Sequence, residues 1–288
     1  MDEKLKQRLI DGGMDDRLAT HFAHLFIRDP IVVFAEDLKE LDVDKVDHFE
    51  NLQSTNWQHM RFKPPPPGND IGWRVEVRPM EIQITDFENA AFSVFVVLIT
   101  RAILSFDLNF YIPIQRTTEN METAHVRDAV NKQKFYFRKN PFPPRPARSN
   151  GSSGTSTPVP TSRAASPISP VEDEYELMTV NEVINGQGTP NGFPGLMALI
   201  ENYLNSVNVD VETRCALARY LNLVKKRADG SLWTAAKWIR HFVQEHPDYN
   251  HDSTVSEGVT YDLVKAAEQM TKAEGADGLG REMLGKVK

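Results

Sequence analysis

The sequence lacks most of the signatures by which an enzyme or a metalloprotein is recognised. A single cysteine, Cys215, rules out a disulfide within the 288 residues and is typical of a reducing compartment. No Cys-x-x-Cys, His-Glu-x-x-His, Gly-x-Ser-x-Gly or dinucleotide-binding pattern occurs, so structural zinc and a nucleophile elbow are not expected. The first ten residues, MDEKLKQRLI, have no apolar core of a signal peptide, and we expect a cytoplasmic protein.

An excess of positive charge is also missing. The formal net charge is −7, whereas nucleic acids and anionic membranes select basic surfaces. We therefore expect no nucleic-acid partner and no membrane partner. The short basic cluster Lys225-Lys226-Arg227 is interpreted as a solvated face.

Long hydrophobic runs are absent as well. The most apolar stretch covers residues 90–104 and is interrupted by Ser93, Thr100 and Arg101. It is shorter than the ~20 apolar residues that a membrane span requires. Because its apolar residues occupy nearly every face of a helix, we predict a helix enclosed by protein.

The composition changes sharply between Asn140 and Pro170, where Pro, Ser, Thr, Gly, Ala and Arg dominate. Such a segment buries too little surface to offset the entropy of ordering. We therefore predict three parts: residues 1–139 form a sheet domain with flanking helices, 140–172 form a disordered linker, and 173–288 form a mostly helical region. The helices expected there cover 194–207, 211–226 after a cap at Asp210, 232–244 after a cap at Ser231, and about 260–273.

Several elements are predicted in the first part. A strand over 71–78 meets Pro79 and is expected to resume over 81–85 after a bend. Thr85 and Glu88 form a capping box that opens a helix over 86–106. LNFYIPI (108–114) is a possible further strand, and 119–139 are predicted to be helical.

The most unusual pattern is the alternation of charged residues in the 71–78 strand. Arg74, Glu76 and Arg78 fall on one face, with Trp73, Val75 and Val77 on the other, because side chains alternate along a strand. A carboxylate between guanidinium groups suits phosphoryl transfer, since it can hold Mg²⁺ while the arginines neutralise phosphate charge. The pair Arg61 and Lys63 lies just upstream. From spacing alone a mutual ion-pair ladder is the favoured alternative, and both remain open.

Longer sequence blocks resemble a known family. HFENLQSTNWQ, MRFKPPPP, DIGWRVEVRPMEIQITDFEN, FYFRK, VDVETRC and HPDY resemble, in the same order, the eukaryotic glutamate–cysteine ligase catalytic subunit, from about residue 9 to about 254. The resemblance implies an α+β fold, part of a glutamine-synthetase-like antiparallel sheet funnel with helices outside. It also implies ATP-dependent ligation of L-glutamate to L-cysteine through a γ-glutamyl phosphate, the first step of glutathione synthesis, with Mg²⁺ as cofactor.

The resemblance assigns roles to particular residues. Glu76 is implied to be a Mg²⁺ ligand, Arg78 to face the ATP phosphates and the acyl phosphate, and Arg74 to assist in catalysis and substrate binding beside it. Trp57 is implied to line the amino-acid substrate pocket. The valines between the charged residues are then expected to anchor the strand through its other face.

Family members are much longer than this chain. We therefore expect these residues to be a C-terminal portion that lacks other metal and ATP ligands and is an incomplete enzyme by itself. The alternative is a catalytically inactive module that binds the modifier subunit. The resemblance implies that Cys215 forms a disulfide to that subunit. Helical spacing separately places Cys215 opposite the apolar stripe of its helix, where its thiol is exposed. A passive exposed thiol is the open alternative.

Overall fold

The structure, a computed structural model, describes residues 1–28, 35, 36, 39, 60–63, 65, 68, 70–142 and 174–277. Within them the helices are α1 (Glu3–Asp11), α2 (Asp16–Arg28), α3 (Asp86–Phe106), α4 (Ile114–Ala124), α5 (Ala129–Lys132), α6 (Val180–Asn185), α7 (Leu196–Ser206), α8 (Val211–Ala228), α9 (Ala235–Gln244) and α10 (Glu257–Asp277). The strands are β1 (Met60–Lys63), β2 (Arg74–Val77), β3 (Lys134–Arg138) and β4 (Tyr175–Thr179).

The chain divides into two compact units, Met1–Ile82 with Pro113–Gln115, and Gln83–Ile112 with Arg116–Lys288. In the first unit, α1 and α2 pack together around a small core. Phe22 and Leu25 of α2 contact Ile114 there. The same unit contains an antiparallel two-stranded sheet formed by β1 and β2.

The core of the second unit lies where α3 meets α7 and α8. Its buried side chains form one continuous cluster: Ala91, Met197, Ile200, Leu204, Leu221, Leu223, Val224 and Leu232. Removing such aliphatic groups from water is the main stabilising contribution, about 1.5–3 kcal/mol for each large side chain. The helices are therefore held by packing along their apolar stripes rather than by intrinsic helix propensity.

A second antiparallel sheet pairs β3 with β4. Asn120 of α4 extends it, because its amide donates to the carbonyl of Tyr136 at 2.9 Å and accepts from the backbone N–H of the same residue at 2.7 Å. Met178 of β4 is fully buried beside Phe193. This sheet joins residues on either side of the predicted linker. From residue 143 onward that linker lies outside the described residues. The three-part division of the chain therefore remains a prediction.

A capping box and a buried ion pair hold the start of α3. The hydroxyl of Thr85 accepts from the backbone N–H of Glu88 at 3.3 Å, and the backbone N–H of Thr85 donates to the Glu88 carboxylate at 3.1 Å. The other carboxylate oxygen of Glu88 accepts from Arg227 of α8. The two residues are only 2% and 6% exposed, and burial lowers the pKa of the Arg227 guanidinium although the Glu88 charge opposes this.

The cluster Lys225-Lys226-Arg227 is not a solvated face throughout, so that expectation is wrong for one residue. Arg227 is buried while Lys226 is exposed. The physical reason is helical geometry, since Arg227 lies three residues after the buried Val224 and four after Leu223. It therefore extends the buried face of α8 and needs a carboxylate partner inside the protein.

Several other predictions are confirmed. The sheets and helices make an α+β fold, the bounds of α3 are those predicted, and its capping box is present. Helix α8 begins at Val211, with the Asp210 side chain accepting from the Thr213 N–H at 2.9 Å. Hydrogen bonds from Thr213, that of its backbone N–H first, lower the pKa of Asp210.

Four element predictions are wrong. No strand follows Pro79 over 81–85, and 108–113 are irregular rather than a strand. Residues 119–139 are not one helix, because α4 ends at Ala124 and 134–138 form β3. The helix predicted from residue 232 begins at Ala235, with Thr234 rather than Ser231 as its cap.

Helix α3 is less enclosed than its composition predicted. It is long and apolar enough to cross a membrane by length and composition, and one face packs on α7 and α8. Val97 and Leu104, however, are 57% and 73% exposed. The prediction of a helix buried on every face is therefore wrong for the chain as described.

Thr85→Ala is expected to lower the free energy of unfolding by about 1 kcal/mol, because it removes the capping hydroxyl of α3. Urea unfolding followed by circular dichroism measures the change. Thr100→Ala is the control, since Thr100 is an exposed threonine within the same helix and should change stability by less than about 0.5 kcal/mol. Equal effects of the two substitutions would contradict the role of the cap.

Arg227→Met is expected to cost about 3 kcal/mol or more, because the Glu88 carboxylate is left buried without a counter-charge. The double variant Glu88→Gln/Arg227→Met should recover more than half of that loss, since Gln keeps the capping geometry without the charge. The same urea titrations give both values. A double variant as unstable as Arg227→Met alone would show that the ion pair is not what Arg227 contributes.

Candidate functional site

The β1–β2 sheet brings the candidate charged residues together on one face. Its register pairs Arg61 with Glu76 and Lys63 with Arg74, and residues directly opposite in an antiparallel pair point to the same side. Arg78 follows the strand on that side and contacts Glu76. The predicted common face of Arg74, Glu76 and Arg78 is thus confirmed. Arg61 and Lys63 are close to this row in the sequence, but no local pattern predicts that they pair across from it.

The Glu76 carboxylate is the centre of this charged face. Lys63 forms an ion pair with one oxygen, and Arg78 Nε donates to the other at 2.8 Å. These two cations, Lys63 above all, hold the pKa of Glu76 below its ordinary value of 4.5. Glu76 is therefore ionised at neutral pH.

The ion-pair ladder and the ligand site are both compatible with these contacts. The face defined by Arg61, Lys63, Arg74, Glu76 and Arg78, called the charged face below, carries more cations than its one carboxylate can neutralise. Arg61 and Arg74 are exposed. Guanidinium groups in such a position can bind phosphate or carboxylate oxygens with paired hydrogen bonds.

The opposite face of the same sheet is open. Met60 lies across from Val77 and Phe62 across from Val75, but Trp73, Val75 and Val77 are 59%, 51% and 39% exposed. The expectation that the two valines anchor the strand is therefore wrong for the described chain. A two-stranded sheet alone cannot bury a face.

A magnesium ion fits this site only in part. Mg²⁺ is usually held by one or two carboxylates together with water and substrate phosphates. Glu76 offers one ionised carboxylate, but no group of three His, Cys, Asp or Glu side chains that could hold a metal occurs among the described residues. Glu76 can thus be one ligand, and the described residues do not complete the coordination.

The two other candidate residues are Trp57 and Cys215. Trp57 falls outside the described residues, so its place in a substrate pocket stays a prediction. Cys215 is an exposed free thiol on α8, as predicted. It lines an open groove of about 400 Å³ with Leu204, Arg214 and Leu221.

Comparison with known proteins identifies the family. The family model described as glutamate-cysteine ligase matches residues 1–270. Glutamate–cysteine ligase of Neurospora crassa is 64% identical over 100% of this chain and 42% of its own length. The mouse glutamate–cysteine ligase catalytic subunit is 48% identical over 94% of the chain and 41% of its own length. The ligase of Saccharomyces cerevisiae is 38% identical over 99% and 41%.

The fold defined by these elements is a mixed α+β fold, in which one ionised carboxylate lies between a lysine and an arginine. This chain belongs to the glutamate–cysteine ligase family. The chain spans about two fifths of the length of the curated relatives that it matches. The resemblance seen in the sequence is thereby confirmed.

Lys63→Met is expected to raise the pKa of Glu76 toward 4.5, and by more than Arg78→Met does, because Lys63 is the main cause of the lowered value. NMR titration of the Glu76 carboxyl carbon measures both. Because the pKa of Glu76 is lower in the folded than in the unfolded chain, its ionised carboxylate stabilises the fold at pH values above the unfolded-state pKa. This contribution is lost as the pH falls through the folded-state pKa. Hence Glu76→Gln should weaken the acid dependence of stability below about pH 4.5. A larger effect of Arg78→Met would contradict this order.

Proposed function

We propose that this chain is part of a glutamate–cysteine ligase and that its charged face forms one wall of the chamber for ATP and metal. The longer protein joins L-glutamate to L-cysteine at the expense of ATP. The observation that carries the proposal is the concentration of Arg61, Lys63, Arg74 and Arg78 around the single carboxylate of Glu76, in a chain of this family.

The reaction proceeds in two transfers. An oxygen of the glutamate γ-carboxylate attacks the γ-phosphorus of ATP, the bond to the β-phosphate oxygen breaks, and ADP leaves. The amine of cysteine then attacks the γ-carbonyl carbon of γ-glutamyl phosphate, and inorganic phosphate leaves as the amine loses a proton. Both transfers bring anions together, so their chief requirement is positive charge held in place.

The residues of the charged face have separate parts in this scheme. Arg78 contacts the phosphates and the developing acyl phosphate, and Arg74 orients the glutamate carboxylate beside it. Lys63 keeps Glu76 ionised. Glu76 gives an oxygen to a divalent ion, Mg²⁺ in the proposal, which when bound offsets the charge of the triphosphate.

We also infer that the β1–β2 sheet belongs to a larger antiparallel sheet of the glutamine-synthetase-like funnel type. The proposal is supported by the exposed apolar face of Trp73, Val75 and Val77, since an uncovered apolar face tends to be covered by further protein. It is also supported by the greater length of the relatives. The isolated chain would then have an incomplete catalytic site.

Glu76→Gln or Arg78→Ala, made in the full-length protein that contains this segment, is expected to lower kcat at least about 100-fold, because one charge contact in a closed site contributes ~3 kcal/mol to the transition state. Coupled measurement of ADP release with glutamate, cysteine and Mg²⁺ gives kcat and KM. Arg101→Gln is the matched control, since Arg101 is an exposed arginine on α3. Rates within threefold of the unmodified protein for both variants would refute the assignment.

A second function is favoured by the exposed thiol. Cys215 lies at an open groove with Leu204 and Leu221, a surface on which another chain can pack. We propose that this groove docks the modifier subunit and that the Cys215 thiol forms a disulfide with a thiol of that subunit. A small disulfide oxidant accepts the two electrons and two protons that the thiols lose. Without catalysis, this docking would make the chain a regulatory module.

Cys215→Ser should abolish a reducible crosslink between this chain and the purified modifier subunit. The two proteins should still associate through the groove, but only weakly. Non-reducing electrophoresis and gel filtration of the mixture measure these outcomes. Ser253→Cys, which adds a thiol at an exposed residue elsewhere, is the control for random oxidation. A crosslink that persists in Cys215→Ser would contradict the proposed disulfide.

A further inference from the structure

We propose that a basic groove between the α4–α5 turn and the start of α9 binds a small phosphate-bearing molecule. The groove has a volume of about 380 Å³, within the range of small-molecule sites. It is formed by residues 124–132 on one side and by residues 234–240 on the other. It shares no residue with the charged face of the β1–β2 sheet, so this proposal does not rest on the proposed ligase function.

The side chains of the groove carry an excess of positive charge. Arg127, Lys132, Lys237 and Arg240 line it, against the single carboxylate of Asp128. The whole chain carries a formal charge of −7, so this cluster opposes the charge of the chain. Four cations around one small groove repel one another, and a bound anion with two or more charges would relieve that repulsion.

The carboxylate in the groove is already engaged with the protein. Asp128 accepts a hydrogen bond from Asn131 Nδ2 at 2.7 Å. Its ion pairs with Lys132 and Lys237 are long, at 3.8 and 3.9 Å. These distances exceed those of good hydrogen bonds, so the ammonium groups keep donors for a ligand.

The two arginines of the groove have no such engagement. Within the described parts of the chain, neither Arg127 nor Arg240 has an ion pair or a side-chain hydrogen bond, and both are exposed. Arg240 lies three residues after Lys237 on α9, so the two share one helix face. Arg127 reaches the groove from the turn opposite. Guanidinium groups placed this way can donate hydrogen bonds to a phosphate from two sides.

Backbone donors add to the cations. The Thr234 hydroxyl caps α9 by accepting from the N–H of Lys237 at 3.2 Å. The amide of Ala236 belongs to the first turn and has no acceptor within an α-helix, and Ala236 lines the groove. The positive end of the helix dipole therefore acts in the same direction as the side chains.

The side chains that line the groove limit the class of ligand that can bind there. Between the charged groups the groove is lined by small apolar side chains, among them Val126 and Val130. A small groove of this kind suits a phosphate ester or a free polyphosphate, whereas an extended polyanion would need a basic track beyond the groove. The geometry points to a compact ligand with one or two phosphate groups.

Titration of the purified chain with inorganic pyrophosphate tests the proposal. Isothermal calorimetry gives the Kd, and ¹⁵N amide shifts report where the ion binds. We expect shifts at residues 126–132 and 235–240. Arg127→Gln and Arg240→Gln should each weaken binding about tenfold or more, and together should abolish it. Both side chains are exposed, and thermal melting should show that the variants remain folded.

Two controls separate this groove from the charged face. Arg219→Gln removes an exposed arginine of α8 that does not line the groove and should leave the Kd unchanged. Arg78→Ala should leave unchanged the Kd that is read from the amide shifts of residues 126–132 and 235–240, whatever it does to binding at the charged face. Binding that persists in the double variant and disappears in Arg78→Ala would overturn the proposal while supporting the ligase site. No binding at millimolar pyrophosphate would overturn it as well.

A parallel titration with ADP distinguishes free from esterified phosphate. Tighter binding of ADP than of pyrophosphate, lost in the Arg127→Gln/Arg240→Gln double variant and retained in Arg78→Ala, indicates a phosphate ester as the ligand. Equal or weaker binding of ADP under the same conditions indicates a free inorganic anion. ADP binding that only Arg78→Ala abolishes belongs to the charged face and counts against the groove.

Discussion

The carboxylate of Glu76, held between Lys63 and Arg78, is the interaction on which the proposed function depends. It arises from the antiparallel register of β1 and β2, which places Lys63 within reach of Glu76 and leaves Arg61 and Arg74 on the same face. The pairing does two things at once. It keeps a potential metal ligand ionised, and it concentrates positive charge where an anionic substrate could bind.

A second ion pair has a structural role instead. Glu88 and Arg227 meet inside the protein and fasten the first turn of α3 to the last turn of α8. The same Glu88 carboxylate completes the capping box with Thr85. Because both charges are buried, the cost of removing them from water offsets much of their mutual attraction. The contrast with Glu76 shows how burial, rather than residue type, separates a structural carboxylate from a candidate ligand.

The parts of the fold that follow local rules could be predicted from the sequence. Alternation placed Arg74, Glu76 and Arg78 on one face, and the Thr85–Glu88 spacing located the start of α3. The failures concern partners distant in the chain. Residues 134–138 form a strand because β4, some forty residues later, pairs with them, and no local pattern contains that information. Arg227 looked solvated because its partner Glu88 lies far along the chain, and Thr234 competed with Ser231 as an equally good capping residue.

The open apolar face of β1–β2 and the single carboxylate of the charged face are both explained if further protein completes them. The most direct test is a crystal structure of the full-length protein with ADP and Mg²⁺. We expect a Glu76 oxygen at about 2.1 Å from a magnesium ion and an Arg78 nitrogen within hydrogen-bonding distance of a phosphate oxygen. A nucleotide bound elsewhere, with Glu76 still paired only to Lys63 and Arg78, would contradict the proposal that this face lines the chamber.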